Sequence, residues 1–335
     1  MKVAVVGSGS WGSALAEVVS RCGNEVLLWA HDPWVADSIR ETRSNPAYLP
    51  SAKFLPLVRP TSSLEEVAQF GNTILMVTPS HYYREVLGQI GPKLGSPVRV
   101  ISGTKGIENQ SLRRISEISG EVLGDKLEQF AVLSGPTFAA EVSKGDPTTA
   151  VVASTGAAFA QEIQEAMSYE AFRLYTSNDV VGVELGGSLK NVVAIAAGVL
   201  NGLGLGFNTM AALVTRGLHE TRRLGVAMGG RPETFAGLAG MGDLVLTCTG
   251  SLSRNRKVGV ALGQGKKLAE ILDDTKFVAE GVRACRSARD LAHRHDVEMP
   301  ITEAMYKILY EDQAPKEAIQ QLMQRSLKPE IEETE

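Results

Sequence analysis

Six residues near the start of the chain limit its fold more than any other feature. Gly7-Ser8-Gly9-Ser10-Trp11-Gly12 fits G-x-G-x-x-G and follows the apolar run KVAVVG without a gap. With 34 glycines among 335 residues, chance alone gives roughly 0.3 such matches, so the pattern says little without its context. The context is specific. A short apolar run ending in glycine reads as a buried parallel strand. Residues 14–21 have helical periodicity, and EVLLWA (25–30) supplies a second strand. In that setting Gly7 permits the tight turn, Gly9 lets a pyrophosphate approach the backbone, and Gly12 allows close packing of helix on strand. The helix N-terminus adds amide donors and positive potential. The stretch predicts a dinucleotide site.

Further apolar runs continue the pattern: TILMVT (73–78), VRVIS (98–102), FAVLS (130–134), TAVVAS (149–154) and FRLYT (172–176). Helical or loop segments at 62–70, 81–90, 110–123 and 156–168 separate them. This alternation predicts a doubly wound, mostly parallel sheet. Beyond about residue 180 only helical patterns remain, at 180–200, 208–225, 232–239, 254–263, 279–295, 301–310 and 314–325. The expected fold class is therefore α/β, with an N-terminal Rossmann-like doubly wound sheet over 1–185 and an all-α domain for substrate over 186–327. An acidic tail, 328–335, is too polar to pack.

Net charge is −4, so no global field favours nucleic acid or an anionic membrane, and any bound anion must meet local positive charge. Cys22, Cys248 and Cys285 are far apart and read as buried free thiols in a reducing compartment. The five histidines do not cluster beyond His293-x-His295, so no metal site is expected. The N-terminus lacks the basic region of a secretory signal. No run reads as approaching the ~20 apolar residues that cross a bilayer. These observations predict a cytoplasmic protein without membrane insertion.

In open α/β sheets ligands sit beyond the carboxyl ends of the strands. Those ends here are TPS (78–80), SGTKGI (102–107) and SGPTFAAE (134–141), and Lys105 lies in the second. After the second strand, His31 or Asp32 occupies the place that reads the cofactor ribose. Asp32 there favours NAD, His31 tolerates the extra phosphate of NADP, and Asp32 reads equally well as a turn residue before Pro33. GSLSRNRKVGVALGQG (250–265) reads as a helix capped by Ser253. Arg254, Arg256 and Lys257 in its first turn oppose the helix dipole, a conflict that a bound phosphate or carboxylate would remove. Asp243, in AGLAGMGDLVLTC (236–248), either caps a short helix or faces Lys190. In VELGGSLKNVVAIAAG (183–198), Lys190 projects from a helical face made of Gly186, Gly187, Ala194 and Ala197. Either it snorkels from a helix contact, or it is a working ammonium whose pKa burial lowers.

Taken together, GSGSWGSALA, SGTKGI, LSGPTFAAEV, ELGGSLKNVVAIAAG, GLAGMGDLVLTC and SRNR resemble the bacterial NAD(P)-dependent glycerol-3-phosphate dehydrogenases. The match runs in order from residue 5 to about residue 282. The resemblance implies a C-terminal domain like that of 6-phosphogluconate dehydrogenase, a homodimer, NAD or NADP as cofactor, and a small phosphorylated substrate. The activity it implies is reversible reduction of dihydroxyacetone phosphate to sn-glycerol 3-phosphate for phospholipid synthesis. It makes Lys190 the general acid/base, with Lys105 and Asp243 beside it. Gly135, Thr137, Asn191, Ser253, Arg254 and Asn255 join those three at the substrate. Ser10, Trp11, His31, Lys105, Ala139, Arg254, Val278 and Glu280 join Gly7, Gly9 and Gly12 at the cofactor. Two alternatives stay open from the residues alone: a dehydrogenase of a β-hydroxyacid or ketopantoate, and a non-catalytic dinucleotide sensor.

Overall fold

The computed structural model describes residues 1–274 and 280–330. Among these, eight strands form one sheet: β1 (Lys2–Val6), β2 (Glu25–Trp29), β3 (Val58–Thr61), β4 (Thr73–Met76), β5 (Val98–Ser102), β6 (Leu127–Ser134), β7 (Thr148–Ser154) and β8 (Phe172–Ser177). Their spatial order is β3-β2-β1-β4-β5-β6-β7-β8. All neighbours are parallel except β6 and β7. The order reverses between β1 and β4, which opens a crevice beyond their carboxyl ends. Between the strands run α1 (Ser10–Arg21), α2 (Pro33–Thr42), α3 (Leu64–Phe70), α4 (Ser80–Ile90), α5 (Ile115–Leu123), α6 (Ala139–Lys144) and α7 (Ala157–Met167). Apolar side chains on both faces of β1, β2 and β4 are buried, as a sheet covered on both sides requires.

Two elements of this half escape the sequence pattern. β3 reads VRPT, and Pro60 argues against a central strand. It lies at the sheet edge and pairs only with β2, where a missing N–H is tolerated. α2 begins at Pro33, with Asp32 at the N-cap. The proline that suggested a turn therefore opens a helix, since its fixed φ suits the first helical position.

After β8 the described chain is helical: α8 (Val180–Gly202), α9 (Phe207–Ala227), α10 (Pro232–Ala236), a π-helical turn (Leu238–Gly242), α11 (Asp243–Thr249), α12 (Arg254–Gly263), α13 (Leu268–Asp274), α14 (Glu280–Arg294), α15 (Pro300–Tyr310) and α16 (Pro315–Met323). The seven-residue α11 and α13 span two turns, too short for a periodicity to register. α8 corrects one expectation. Its 23 residues and mean hydropathy of 1.4 would suffice to cross a bilayer, but 89% of the apolar stretch is buried inside the protein. It is the core helix of the second half. Small residues let its neighbours close on it: a Cβ on Gly198 would stand 2.0 Å from the Arg256 carbonyl oxygen. The expected 185/186 boundary falls inside α8.

Glu184 on α8 ties those halves together. Its buried carboxylate accepts from Arg114 Nη1 at 2.6 Å, and from the Ser116 amide and hydroxyl at 2.7 Å each, at the start of α5. Burial pushes its pKa up, and the Arg114 charge opposes that. In the acidic tail, the exposed Lys328 forms an ion pair with Glu298 at 3.5 Å on the surface; residues 331–335 lie outside the described residues.

Candidate active site

At the mouth of the crevice the three loop glycines do three different jobs. Gly7 has φ of +120°, and a Cβ there would lie 2.8 Å from the Val77 carbonyl oxygen. A Cβ on Gly12 would fall 1.8 Å from the Gly7 oxygen, so α1 meets the turn through bare backbone. Around Gly9 there is nothing within 4 Å of an added Cβ. This open space adjoins the start of α1, which has no side-chain cap and no acidic residue in its first turn. Its amide donors and positive potential are left for an anion. Among the described residues, the buried Trp11 Nε1, Thr78 Oγ1 and Ser134 Oγ have no protein partner, and they follow or end β1, β4 and β6. A polar ligand would satisfy them. A dinucleotide fits these residues.

The other expected cofactor positions are dispersed. Ser10 donates its hydroxyl to the Tyr48 carbonyl at 2.6 Å. His31 is exposed just past β2, with its ring edge-on to Trp29. Asp32 makes no capping hydrogen bond. Ala139 is the first residue of α6. Glu280 opens α14 and accepts from the Ser80 hydroxyl at 2.8 Å, so it reaches from the helical half to α4. Burial raises its pKa, while Ser80 and then the charges of Arg254 and Arg283 oppose the rise. Val278 lies outside the described residues.

The titratable centre lies where α8, α11 and the loop after β5 meet. Lys190 is 7% exposed and Asp243 1%. Lys190 Nζ donates to Asp243 Oδ1 and, at 2.8 Å, to Thr247 Oγ1. The other carboxylate oxygen, Asp243 Oδ2, accepts from Lys105 Nζ at 2.6 Å, and Lys105 also donates to the Gly135 carbonyl at 3.3 Å. Thr137 donates its hydroxyl to that same carbonyl at 3.1 Å. One carboxylate thus serves two ammonium groups, and the uncompensated positive charge favours an anion or a developing oxyanion. Burial brings the Lys190 pKa down to about 8, Asp243 works against this, and the Lys105 charge adds to it.

Backbone geometry explains how Asp243 arrives there. It is the first residue of α11, with Gly242 in the cap position, so the capping alternative does not hold. The π-helical turn before it packs on α8 at Gly186, where an added Cβ would lie 2.7 Å from the Ala239 oxygen. Gly187 likewise admits Ser134 and the Lys105 stem, at 2.5 and 3.7 Å from an added Cβ. The small face around Lys190 is therefore the surface through which its partners approach. Thr247 was not singled out from sequence. Its signal was the i, i+4 spacing from Asp243, which puts both on one face of a helix.

The cationic run at 254–257 divides on folding. The Ser253 hydroxyl oxygen accepts from the Arg256 amide at 3.2 Å and so caps α12. The Arg256 guanidinium turns to α8, where the Asn201 side-chain oxygen accepts from it at 2.9 and 3.1 Å. Arg254, exposed at the first position of α12, stays near Glu280. Asn255 Nδ2 donates to Asn191 Oδ1 at 2.9 Å, and Asn255 Oδ1 accepts from the Gly281 amide at 2.9 Å. This chain locks α8, α12 and α14 around the residue next to Lys190.

Residues 2–165 match the family described as NAD-dependent glycerol-3-phosphate dehydrogenase N-terminus, and residues 179–320 match the corresponding C-terminus. The chain belongs to the NAD-dependent glycerol-3-phosphate dehydrogenase family. The glycerol-3-phosphate dehydrogenase [NAD(P)+] of Geobacter sulfurreducens is 50% identical over 330 residues, 98% of each chain. That of Syntrophotalea carbinolica is 49% identical over 333 residues, 99% of this chain and 100% of the relative. The crystal structure of glycerol-3-phosphate dehydrogenase from Coxiella burnetii superposes with a TM-score of 0.92 at 40% identity, covering 97% of this chain and 99% of that one. In this glycerol-3-phosphate dehydrogenase family member, the crevice and Lys105 lie in the half that matches the N-terminal description, and Lys190 and Asp243 in the half that matches the C-terminal one, so the lysine pair joins the two.

Proposed function

We propose that this chain is a glycerol-3-phosphate dehydrogenase [NAD(P)+] that interconverts dihydroxyacetone phosphate and sn-glycerol 3-phosphate for glycerophospholipid synthesis. The observation that carries this is Asp243, held between Lys105 and Lys190 beside the dinucleotide crevice. Gly7, Gly9, Gly12, Trp11, His31, Ala139 and Glu280 would hold the dinucleotide, whose nicotinamide would supply the hydride for the C2 carbonyl when bound. Lys190 handles the proton. Its ammonium, with a pKa of about 8, donates to the forming alkoxide, and the neutral amine takes the proton back in the reverse direction. Asp243 and Thr247 aim Lys190 Nζ. Lys105 and Asn191 place donors where oxyanion charge develops. Arg254 and the amides opening α12 take the phosphate, with Ser253 and Asn255 beside them, and Gly135 and Thr137 complete the substrate wall.

On this account residues 1–185 bind the dinucleotide and 186–327 present the substrate groups, with α8 shared. We also infer a cytoplasmic homodimer. α9 and α11, packed through Leu213, Leu244 and Cys248, leave Phe207 93% exposed and Val245 42% exposed. Light scattering on the purified protein tests that state: twice the chain mass supports it, and a monomer overturns it. For the activity, NADH and NADPH oxidation is followed with dihydroxyacetone phosphate, then with ketopantoate and a β-keto acid. Turnover with the phosphate ester alone supports the proposal. Turnover with a carboxylate instead favours the related dehydrogenases, and NADH binding without any turnover favours a sensor.

A further inference from the structure

One fully buried carboxamide beside the glycine loop plays no part in the site described above. Asn45 is 0% exposed and lies in the segment between α2 and β3. Its Nδ2 donates to the Ser8 carbonyl at 2.7 Å and to Ser13 Oγ at 2.9 Å. Its Oδ1 accepts from the Tyr48 amide at 3.2 Å. Both side-chain hydrogens and the oxygen are thus engaged. Ser13 Oγ in turn donates to the same Ser8 carbonyl at 3.2 Å.

The Ser8 carbonyl and the Gly9 N–H belong to one peptide unit. In a planar trans peptide the two point in opposite directions. A donor that grips the Ser8 oxygen from the protein side therefore turns the Gly9 N–H outward. The segment that carries Asn45 is itself anchored. Ser10 donates to the Tyr48 carbonyl at 2.6 Å, and the Lys53 amide donates to buried Glu17 at 2.8 Å. Arg43, at φ +55°, donates to the Val58 and Phe54 carbonyls at 2.9 and 3.2 Å. These contacts hold Asn45 in place by protein groups alone.

We propose that Asn45 is a positioning residue of the dinucleotide site: its amide fixes the Ser8–Gly9 peptide so that the glycine loop presents its N–H groups to a pyrophosphate before one binds. This rests on the dinucleotide site of the proposed function. Pre-setting the loop removes an ordering cost from binding, so the effect belongs to cofactor affinity and not to the chemical step.

The test is direct NADH titration by fluorescence with steady-state kinetics. Asn45→Ala should weaken NADH binding about tenfold. Asn45→Asp, which loses both donors and sets a carboxylate against the Ser8 oxygen, should weaken it about a hundredfold. At saturating NADH, kcat and the KM for dihydroxyacetone phosphate should stay within about twofold of wild type. Ser13→Ala, a milder change, should weaken NADH by a smaller factor and keeps the test available if the Asn45 variants fold poorly. Asn24→Ala is the control for lost stability: Asn24 is a buried carboxamide at the far end of α1, donating to the Val19 and Ala166 carbonyls. It should lower Tm without changing NADH affinity. NADH affinity unchanged in the Asn45 and Ser13 variants overturns the role. A wild-type protein that binds no NADH overturns the dinucleotide site itself, and the role with it.

Discussion

Replacing Asp243 with asparagine keeps the side-chain shape and removes the one negative charge that both lysines share. At 1% exposure, solvent screens the loss poorly. The Lys190 pKa of about 8 is a balance in which burial lowers it and Asp243 raises it. A neighbouring opposite charge is worth about 1–3 pKa units, so the variant should place Lys190 at about 5 to 7. Taking about 6, the protonated fraction at pH about 7.5 falls from about three-quarters to about 3%, a loss of about 25-fold in carbonyl reduction from protonation alone. Reduction needs the ammonium, so its rate falls as pH rises through the Lys190 pKa, while glycerol 3-phosphate oxidation rises through it. The assay is kcat/KM for dihydroxyacetone phosphate at saturating NADH across pH, with folding checked by circular dichroism. The limb near pH 8 in wild type should move down by at least about one unit, and activity should recover as pH falls. Recovery in acid separates a lost charge from a lost fold. A limb that stays near 8 in D243N refutes the electrostatic argument.

Arg254→Ala should raise the KM for dihydroxyacetone phosphate by about 10- to 100-fold, since a charge-assisted contact to a phosphate is lost; an unchanged KM removes Arg254 from the phosphate site. Glu220 is buried under the start of α15, where it accepts from the Ile301 and Thr302 amides at 2.7 and 3.2 Å, and burial pushes its pKa up to about 7. Because the folded pKa is the higher one, its stabilising contribution is present below its ordinary carboxylate range and is lost as pH rises through about 7. Urea unfolding of Glu220→Gln should therefore gain on wild type between about pH 5 and 8, by on the order of 3 kcal/mol at most; a pH-independent gap contradicts this. Glu184→Ala removes the buried acceptor shared by Arg114 and both Ser116 donors at the seam between the halves, leaving Arg114 only Glu117 at 3.4 Å as an ionic partner among the described residues, and should cost about 3 kcal/mol. A loss under about 1 kcal/mol in urea unfolding shows that the seam does not depend on it.

What the sequence revealed was local. The glycine loop, the continuous apolar strands and the helical second half each declare themselves within about twenty residues, because strand and helix periods are short-range signals. β3 was missed because a proline in a four-residue strand is a breaker everywhere except at an edge. Lys190 and Asp243 were readable as candidates, yet the shared carboxylate was not. The lysines contact Asp243 across 53 and 138 residues, and only the close approach at Gly186 and Gly187 brings them together. The cationic run illustrates the same limit, since Arg256 is taken by Asn201 on α8 and only the fold shows which cation is diverted. Asn45 carried no signal, for a polar residue in SNPAYLPS reads as loop surface until its partners on the glycine loop are seen.

Lys190→Ala tests the central claim most directly. It removes the proton donor and leaves every glycine-loop contact intact. Single-turnover oxidation of NADH with saturating dihydroxyacetone phosphate should slow by about 10²- to 10⁴-fold, with NADH affinity within about twofold of wild type. A chemical step that survives within about tenfold of wild type would mean that the proton comes from another group and that Asp243 does not aim Lys190 at the substrate.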